Sequence, residues 1–324
     1  MNIATFAKRF WGQGLSIILL ILLATFPLYT KPLFGSNYPV ILLQAILMYV
    51  VLTVSWTFFS GPTGYISLAP AAFFGVGIYT TAILGKSLPL LPTVAAAAAV
   101  SFILALLVGA VTLRLRGIFF AVFTFGLIIL LKELLLFWEI TVTGTRGRFV
   151  VLVDNNTIYY LILGILVLTL LTTYFIRRSK FGMAMQSIGE NEEAAAHMGV
   201  NVTMVKIITF AISAIFMGAA GAVMATKWTY VDPYVAFDIR MSFLPVLMAI
   251  FGGIGTFYGP ILGSVLFSYL EELLLTKFPY YYMLTFGLIL VVFILYLPGG
   301  VASLIERLRL RLQKGGLTGK YANT

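Results

Sequence analysis

Apolar runs long enough to cross a bilayer recur along the whole of this chain, and they constrain its fold more than any other feature. A spanning helix needs about 20 mostly apolar residues, because each adds about 1.5 Å against a hydrocarbon core about 30 Å thick. Ten such segments are read, at residues 15–29, 40–59, 65–84, 90–113, 118–137, 158–176, 206–226, 242–253, 260–275 and 280–297. Only 10% of the residues are charged, against about 25% in a soluble domain. The expected fold class is an all-α polytopic membrane protein, a single transmembrane domain over residues 1–324.

A net charge of +10 would suit a nucleic-acid binder, but the bases sit at the ends of apolar runs, where they set topology. With the amino terminus inside, thirteen of the twenty-one bases fall on the inner face with four acids, 13 − 4 = +9. The other eight share the outer side with seven acids, 8 − 7 = +1. Basic loops stay inside, so both termini, the polar loop at 177–206 and the basic tail at 301–324 are expected in the cytoplasm. The partner surface this implies is membrane lipid rather than nucleic acid, in a multi-pass protein of a plasma (inner) membrane. Lys8 and Arg9 before the first run also resemble a signal peptide. No small-residue cleavage site follows, so a retained first helix is expected.

Two segments are broken by glycine and proline: SGPTGYISLAPAAFFGVG from Ser60, and FGGIGTFYGPILG from Phe251. Proline removes a backbone donor, and irregular backbone survives in hydrocarbon only if buried in protein or lining a wet cavity. Broken segments in both halves of a chain point to an internal repeat and a path at its interface. The repeat would relate 40–137 to 206–297. Candidate path residues are Gly64, Ser67, Gly75 and Gly77 in the first segment, and Gly252, Gly253 and Gly255 in the second. The competing reading is close helix packing through small residues.

Chemistry-bearing constellations are sparse. There is no cysteine and His197 is the only histidine, so no metal site is expected. The acid pairs Glu192–Glu193 and Glu271–Glu272 are sequence neighbours that do not face each other on a helix, so no catalytic pair is read. Lys132 and Glu133 fall within a predicted span, near its outer end. A proton- or sodium-coupled transporter would carry such groups deep in its bundle. Any energy for transport is therefore expected from another chain.

The loop at 177–206 then gains significance. FGMAMQSI reads as a helix stopped by Gly189. Asn191 can cap a second helix, with Glu192 and Glu193 in its first turn, Ala194, Ala195 and Ala196 propagating it, and Gly199 ending it. Asn201 or Thr203 could cap the next span. Small alanines would let a partner's groove approach closely; a solvated surface helix is the alternative.

Here the sequence resembles a known family. E-A-A-x-x-x-G at 193–199 is similar to the cytoplasmic loop of ABC importer permeases, which docks in a cleft of the ATPase subunit. IGENEEAAAHMGVNVTMVK, GPTGYISLAPAAFFGVGIYTTA, RLRGIFFAVFTF, MGAAGAV, MAIFGGIGTFYGPILGS and YLPGGVASLIE resemble the M-type permease subunit of branched-chain (hydrophobic) amino-acid importers. Pro70 departs from the family's usual histidine, and TGTRGR adds Arg146 and Arg148 to an outer segment. The resemblance implies a permease without an ATPase site or cofactor of its own, ATP being used by two ATP-binding cassette subunits. It further implies a homologous second permease and a periplasmic or lipid-anchored binding protein. The ATPase-coupling loop would comprise Gly189, Asn191, Glu192, Glu193, Ala194, Ala195 and Gly199, and charge or bulk at Ala194 or Ala195 would uncouple ATP hydrolysis from uptake. A permease for another small solute (sugar, nucleoside, urea or amide) and a secondary transporter stand as alternatives.

Overall fold

The computed structural model describes residues 18–30 and 35–281, together with 284, 285, 287, 288, 291, 295, 296 and 300–304. Helix α1 is Ile18–Thr30. Four helices follow: α2 Tyr38–Thr63, α3 Pro70–Leu84, α4 Leu90–Thr112 and α5 Ile118–Trp138, the last continued by a π turn at Glu139–Thr143. Next come β1 Arg148–Phe149, α6 Asn155–Arg177, α7 Lys180–Glu190, α8 Glu192–His197 and α9 Val202–Ala225. After β2 Tyr230–Val231, α10 Pro233–Ala236, α11 Arg240–Gly252 and α12 Gly259–Lys277 complete the continuous part.

Six of the described helical stretches are long and apolar enough to cross a membrane: Tyr38–Thr63, Leu90–Thr112, Ile118–Thr143, Asn155–Arg177, Val202–Ala225 and Pro233–Gly252. The expected ten segments are therefore not all of that kind. Helix α1 is short, and α3 has 15 residues because the start of the 65–84 run is not helical. Helix α12 carries Glu271 and Glu272 near its end. Half of the 280–297 segment, residues 15–17 and the tail beyond 304 lie outside the described residues. A feature without a sequence signal is the antiparallel β1–β2 ribbon, pairing Arg148 with Val231 and Phe149 with Tyr230.

Burial divides these helices by the solvent they meet. The most apolar stretch of α2 is 78% buried and that of α9 is 72%, whereas α4 and α5 reach only 22%. On the open faces of α4 and α5 stand Ile103, Leu107, Val111, Val122, Leu130 and Leu134. Such a surface would aggregate in water; in a bilayer it meets acyl chains. Helices α2 and α9 thus form the centre, with α9 packed on both α3 and α4, and α2 on α6, α9 and α12.

Lipid-solvated helices gain little from the hydrophobic effect on meeting one another, so close packing has to hold them. Where α3 crosses α9, a Cβ on Gly77 would collide with the Gly218 carbonyl, and one on Gly221 with the Phe74 carbonyl. The α11–α12 crossing repeats the device, since a Cβ on Gly252 would strike the Gly259 carbonyl. Beside the first crossing, the Phe210 ring meets Phe59, Phe73 and Phe120 at centroid distances of 5.2, 5.3 and 5.9 Å. Overpacking a tight contact costs about 1–3 kcal/mol or more. Gly77→Val is therefore expected to lower the melting temperature of the solubilised protein. Gly126→Val, where a Cβ meets nothing within 4 Å, is expected to leave it unchanged.

Candidate functional site

The first broken segment is unwound over residues 64–69, between α2 and α3. Gly64 ends α2 with φ 71°, a left-handed cap that a side chain would strain, and its N–H donates to the Ser60 carbonyl. Side chains from three helices then replace the missing helical hydrogen bonds. The Trp56 indole of α2 donates to the Ser67 carbonyl at 2.7 Å, and the Leu68 N–H donates to Thr124 Oγ1 of α5 at 2.9 Å. Ser242 of α11 donates to the Leu68 carbonyl and accepts from the Ala71 N–H, each at 2.9 Å. Satisfied in this way, irregular backbone is tolerable inside a membrane.

The second break covers 253–258, between α11 and α12. Both breaks border one cavity of about 440 Å³, walled by Gly61, Pro62 and Gly64 on one side and by Ile254 and Gly255 on the other. The seven candidate path residues therefore separate by role. Gly64 and Gly255 line this cavity. Ser67 lines a smaller space with Trp56, Phe59, Ser60, Phe73 and Met217, too narrow to admit water, and its hydroxyl also accepts from the Ala69 N–H. Gly77 and Gly252 sit at the helix crossings, and Gly75 faces the Phe237 ring, so for these three close packing is the structural role. Gly253 caps α11.

The loop after α6 folds back onto the bundle. Met185 and Ile188 of α7 are buried with Phe58 of α2, Val205 of α9 and Ala195 of α8. Gly189 does not stop α7, which continues to Glu190; a Cβ there would collide with the Pro62 carbonyl, so this glycine seats α7 on the end of α2. Asn191 Oδ1 caps α8 by accepting from the N–H groups of Glu193 and Ala194 at 3.1 and 3.0 Å. At its other end, Gly199 has φ 87°, its N–H donates to the Ala196 carbonyl, and Val200 N–H donates to that of Ala195. That pair of bonds is a Schellman stop, which favours glycine. Asn201, not Thr203, caps α9 through the Met204 N–H.

Between these caps, α8 has two unlike sides. Ala195 is 1% exposed and roots the helix in the bundle, whereas Glu193, Ala194, Ala196, His197 and Met198 are exposed. Bulk at Ala195 would break internal packing, so of Ala194 and Ala195 only Ala194 is open to a partner.

One ionic cluster ties this loop to the first break, and its central cation was assigned from sequence only to topology. Lys206, near the start of α9, has a side chain 3% exposed, with Nζ 2.9 Å from Glu192 Oε1. The same ammonium donates to the Leu113 carbonyl at 3.1 Å and to the Tyr65 hydroxyl at 3.0 Å. Tyr65 in turn donates to Glu192 Oε2 at 2.5 Å, and Arg116 Nη1 reaches Glu193 at 3.3 Å. Partial burial works against the charged Glu192. Hydrogen bonds from Tyr65 and Lys206 outweigh it and hold the carboxyl below its ordinary range. A lysine five positions into an apolar helix, after an acid on the preceding helix, was the available sequence signal.

The opposite end of α3 carries a second ionic site absent from the sequence reading. Glu139, at 0% exposure, accepts from the Gly147 N–H at 2.8 Å and the Tyr79 hydroxyl at 3.3 Å. Arg148 Nε stands 3.4 Å from Glu139 Oε1 without hydrogen-bond alignment, a contact of charges. The β1 turn is thereby pinned against α3. Nearby, Arg146 and Lys132 both lie over the Tyr234 ring, at 4.5 and 4.9 Å from its centroid.

Breaking a buried pair by removing one partner costs about 3–5 kcal/mol, less where one partner is partly exposed like Glu192. Lys206→Met is expected to destabilise the protein by about 2–4 kcal/mol in thermal melts, and Glu192→Gln added to it to restore part of that loss. A depressed carboxyl contributes stability above its unfolded value that is lost as pH falls through the folded one. Wild-type melting temperature should therefore fall on acidification below about pH 4.3, the ordinary glutamate value, and by less in Lys206→Met.

Residues 38–295 match the sequence profile of the branched-chain amino acid transport system permease component. The chain is 28% identical to the high-affinity branched-chain amino acid transport system permease protein LivM of Salmonella typhimurium, over 85% of this chain and 72% of that protein. LivM of Escherichia coli is 26% identical over 96% of this chain and 79% of its own. The high-affinity branched-chain amino acid transport system permease protein LivH of Escherichia coli is 29% identical over a shorter stretch, 40% of this chain and 42% of its own. No solved structure matches. With its profile match running from α2 almost to the end of the described residues, the chain belongs to the family of permease components of branched-chain amino acid transport systems.

Proposed function

We propose that this protein is the membrane-spanning permease subunit of an ATP-driven importer for branched-chain or other hydrophobic amino acids. The observation that carries the reading is α8, a small-residue helix stopped at both ends, rooted at Ala195 and open at Glu193, Ala194 and His197. It has the form of a handle. The chain would work with two ATP-binding cassette subunits that hydrolyse the ATP, a homologous second permease, and a periplasmic or lipid-anchored binding protein. The loop and both termini would lie in the cytoplasm, and α1, α3, α12 and the 280–297 run would add membrane segments to the six.

The mechanism follows from the connections of α8. An ATPase cleft gripping residues 191–199 would push on Glu192 and, through Lys206 and Tyr65, on the unwound stretch that leads into α3. That stretch has few helical hydrogen bonds to break, so it can bend while α2 and α9 stay rigid. Alternating access would result: the small space at Ser67 opens while the outer end of α3, clasped by Glu139 and the β1 turn, closes, and the reverse. Few charges line the route, which suits a path that must release its cargo.

In proteoliposomes holding the complete importer, Ala194→Arg is expected to reduce leucine uptake at least tenfold while leaving membrane insertion and the yield of folded protein unchanged. Uptake at the wild-type rate would count against α8 as the handle. Ligand screening of the cognate binding protein then fixes which amino acids are carried.

A further inference from the structure

The cavity where the two breaks meet contains one charge that the bundle leaves unanswered. Arg177 closes α6, and its guanidinium turns across the end of α2: a Cβ built on Gly61 would lie 3.6 Å from Nη2. Lys206, Arg146, Arg148 and Arg240 each face a carboxylate. Among the described residues Arg177 has neither an ion pair nor a hydrogen bond, and no nearby charge offsets its partial burial. Its neighbour Arg178 instead stacks on Tyr174 at 4.2 Å. A half-buried guanidinium holds five donors, and leaving them empty is costly.

The rest of the lining supplies a complementary group. Glu190, at the exposed end of α7, borders the same cavity yet forms no ion pair with Arg177. A cation and an anion therefore face one space without neutralising each other. The same lining includes the partly exposed apolar residues Pro62 and Ile254. At Gly64 and Gly255 a Cβ would meet nothing within 4 Å, so the walls stand back from the centre. A volume of about 440 Å³ lies within the range of small-molecule sites.

We propose that this cavity is a binding site for a zwitterionic amino acid: the carboxylate is held by Arg177, the ammonium by Glu190, and the apolar side chain rests on Pro62 and Ile254. Planar guanidinium suits bidentate carboxylate recognition. The proposal rests on the reading of the chain as an amino-acid permease for the identity of the ligand. It adds a station on the α7 side of the closed space at Ser67, where cargo pauses before leaving and where free amino acid on that side can bind back. The seat at α7, which carries the handle α8, means that occupancy would also brace the loop against movement. Free amino acid on the α7 side would then slow ATP hydrolysis.

The test uses the complete importer in nanodiscs of uncharged lipid, with the binding protein omitted. Isothermal titration with leucine, leucinamide, 4-methylpentanoate and inorganic phosphate reads the site directly. Leucine is expected to bind, with leucinamide and 4-methylpentanoate each at least tenfold weaker, since each lacks one charge. Arg177→Gln and the surface change Glu190→Gln should each weaken leucine at least tenfold, and Arg177→Lys should retain part of the affinity. Absence of leucine binding to the wild type, or affinity unaltered in Arg177→Gln, would overturn the proposal. So would phosphate binding without leucine binding, which would assign Arg177 to lipid phosphate. Leucine uptake by the wild-type importer with its binding protein is measured alongside. Uptake without binding sinks this site alone, and absence of both sinks the amino-acid reading beneath it.

Discussion

Every other feature of this protein depends on one constraint: in hydrocarbon, a backbone N–H or carbonyl without a partner is too costly to leave. Regular helices satisfy their own groups, which is why the chain is helical almost wherever it is described. The departure at 64–69 is possible only because Trp56, Thr124 and Ser242 supply the missing partners from α2, α5 and α11. That arrangement fixes where α3 begins, and so where its glycines meet α9. The same three side chains join the break to three separate helices. A movement of the break is therefore felt by all of them.

The Glu192, Lys206 and Tyr65 cluster is the complement of that arrangement. It joins the solvent-facing loop to the break through charges and one phenol, whereas the remainder of the contact is apolar: Ala195, Met185, Ile188, Phe58 and Val205. Apolar packing has no directional preference and allows sliding. A buried ion pair with a shared hydroxyl has strong geometric demands and resists it. In the proposed mechanism, a push on α8 would thereby be converted into displacement of Tyr65, the second residue of the unwound stretch.

Much of this was legible from residue order. Apolar length identified a membrane fold, and Asn191 and Gly199 marked α8 because a side-chain acceptor and a left-handed stop are local requirements. The two breaks were visible as glycine and proline clusters. What they face was not, since Gly75, Gly77 and Gly252 look the same in sequence as Gly64 and Gly255. Their difference lies in which helix crosses them. Gly189 was read as a stop, although its absent side chain instead makes room for the Pro62 carbonyl. Lys206 looked like a topology charge because its partners lie 14 and 141 positions away. Glu139 escaped notice because burial at the end of a span depends on the turn that folds over it.

The coupling claim is tested most directly by the ratio of leucine transported to ATP hydrolysed in Tyr65→Phe, measured in proteoliposomes of the complete importer. The ring and its packing against Phe120 survive in this variant, and only the hydroxyl between Glu192 and Lys206 is lost. The account predicts that ATP hydrolysis continues near the wild-type rate while the transport-to-hydrolysis ratio falls severalfold. An unchanged ratio, with the folded protein intact, would contradict a force path through this cluster.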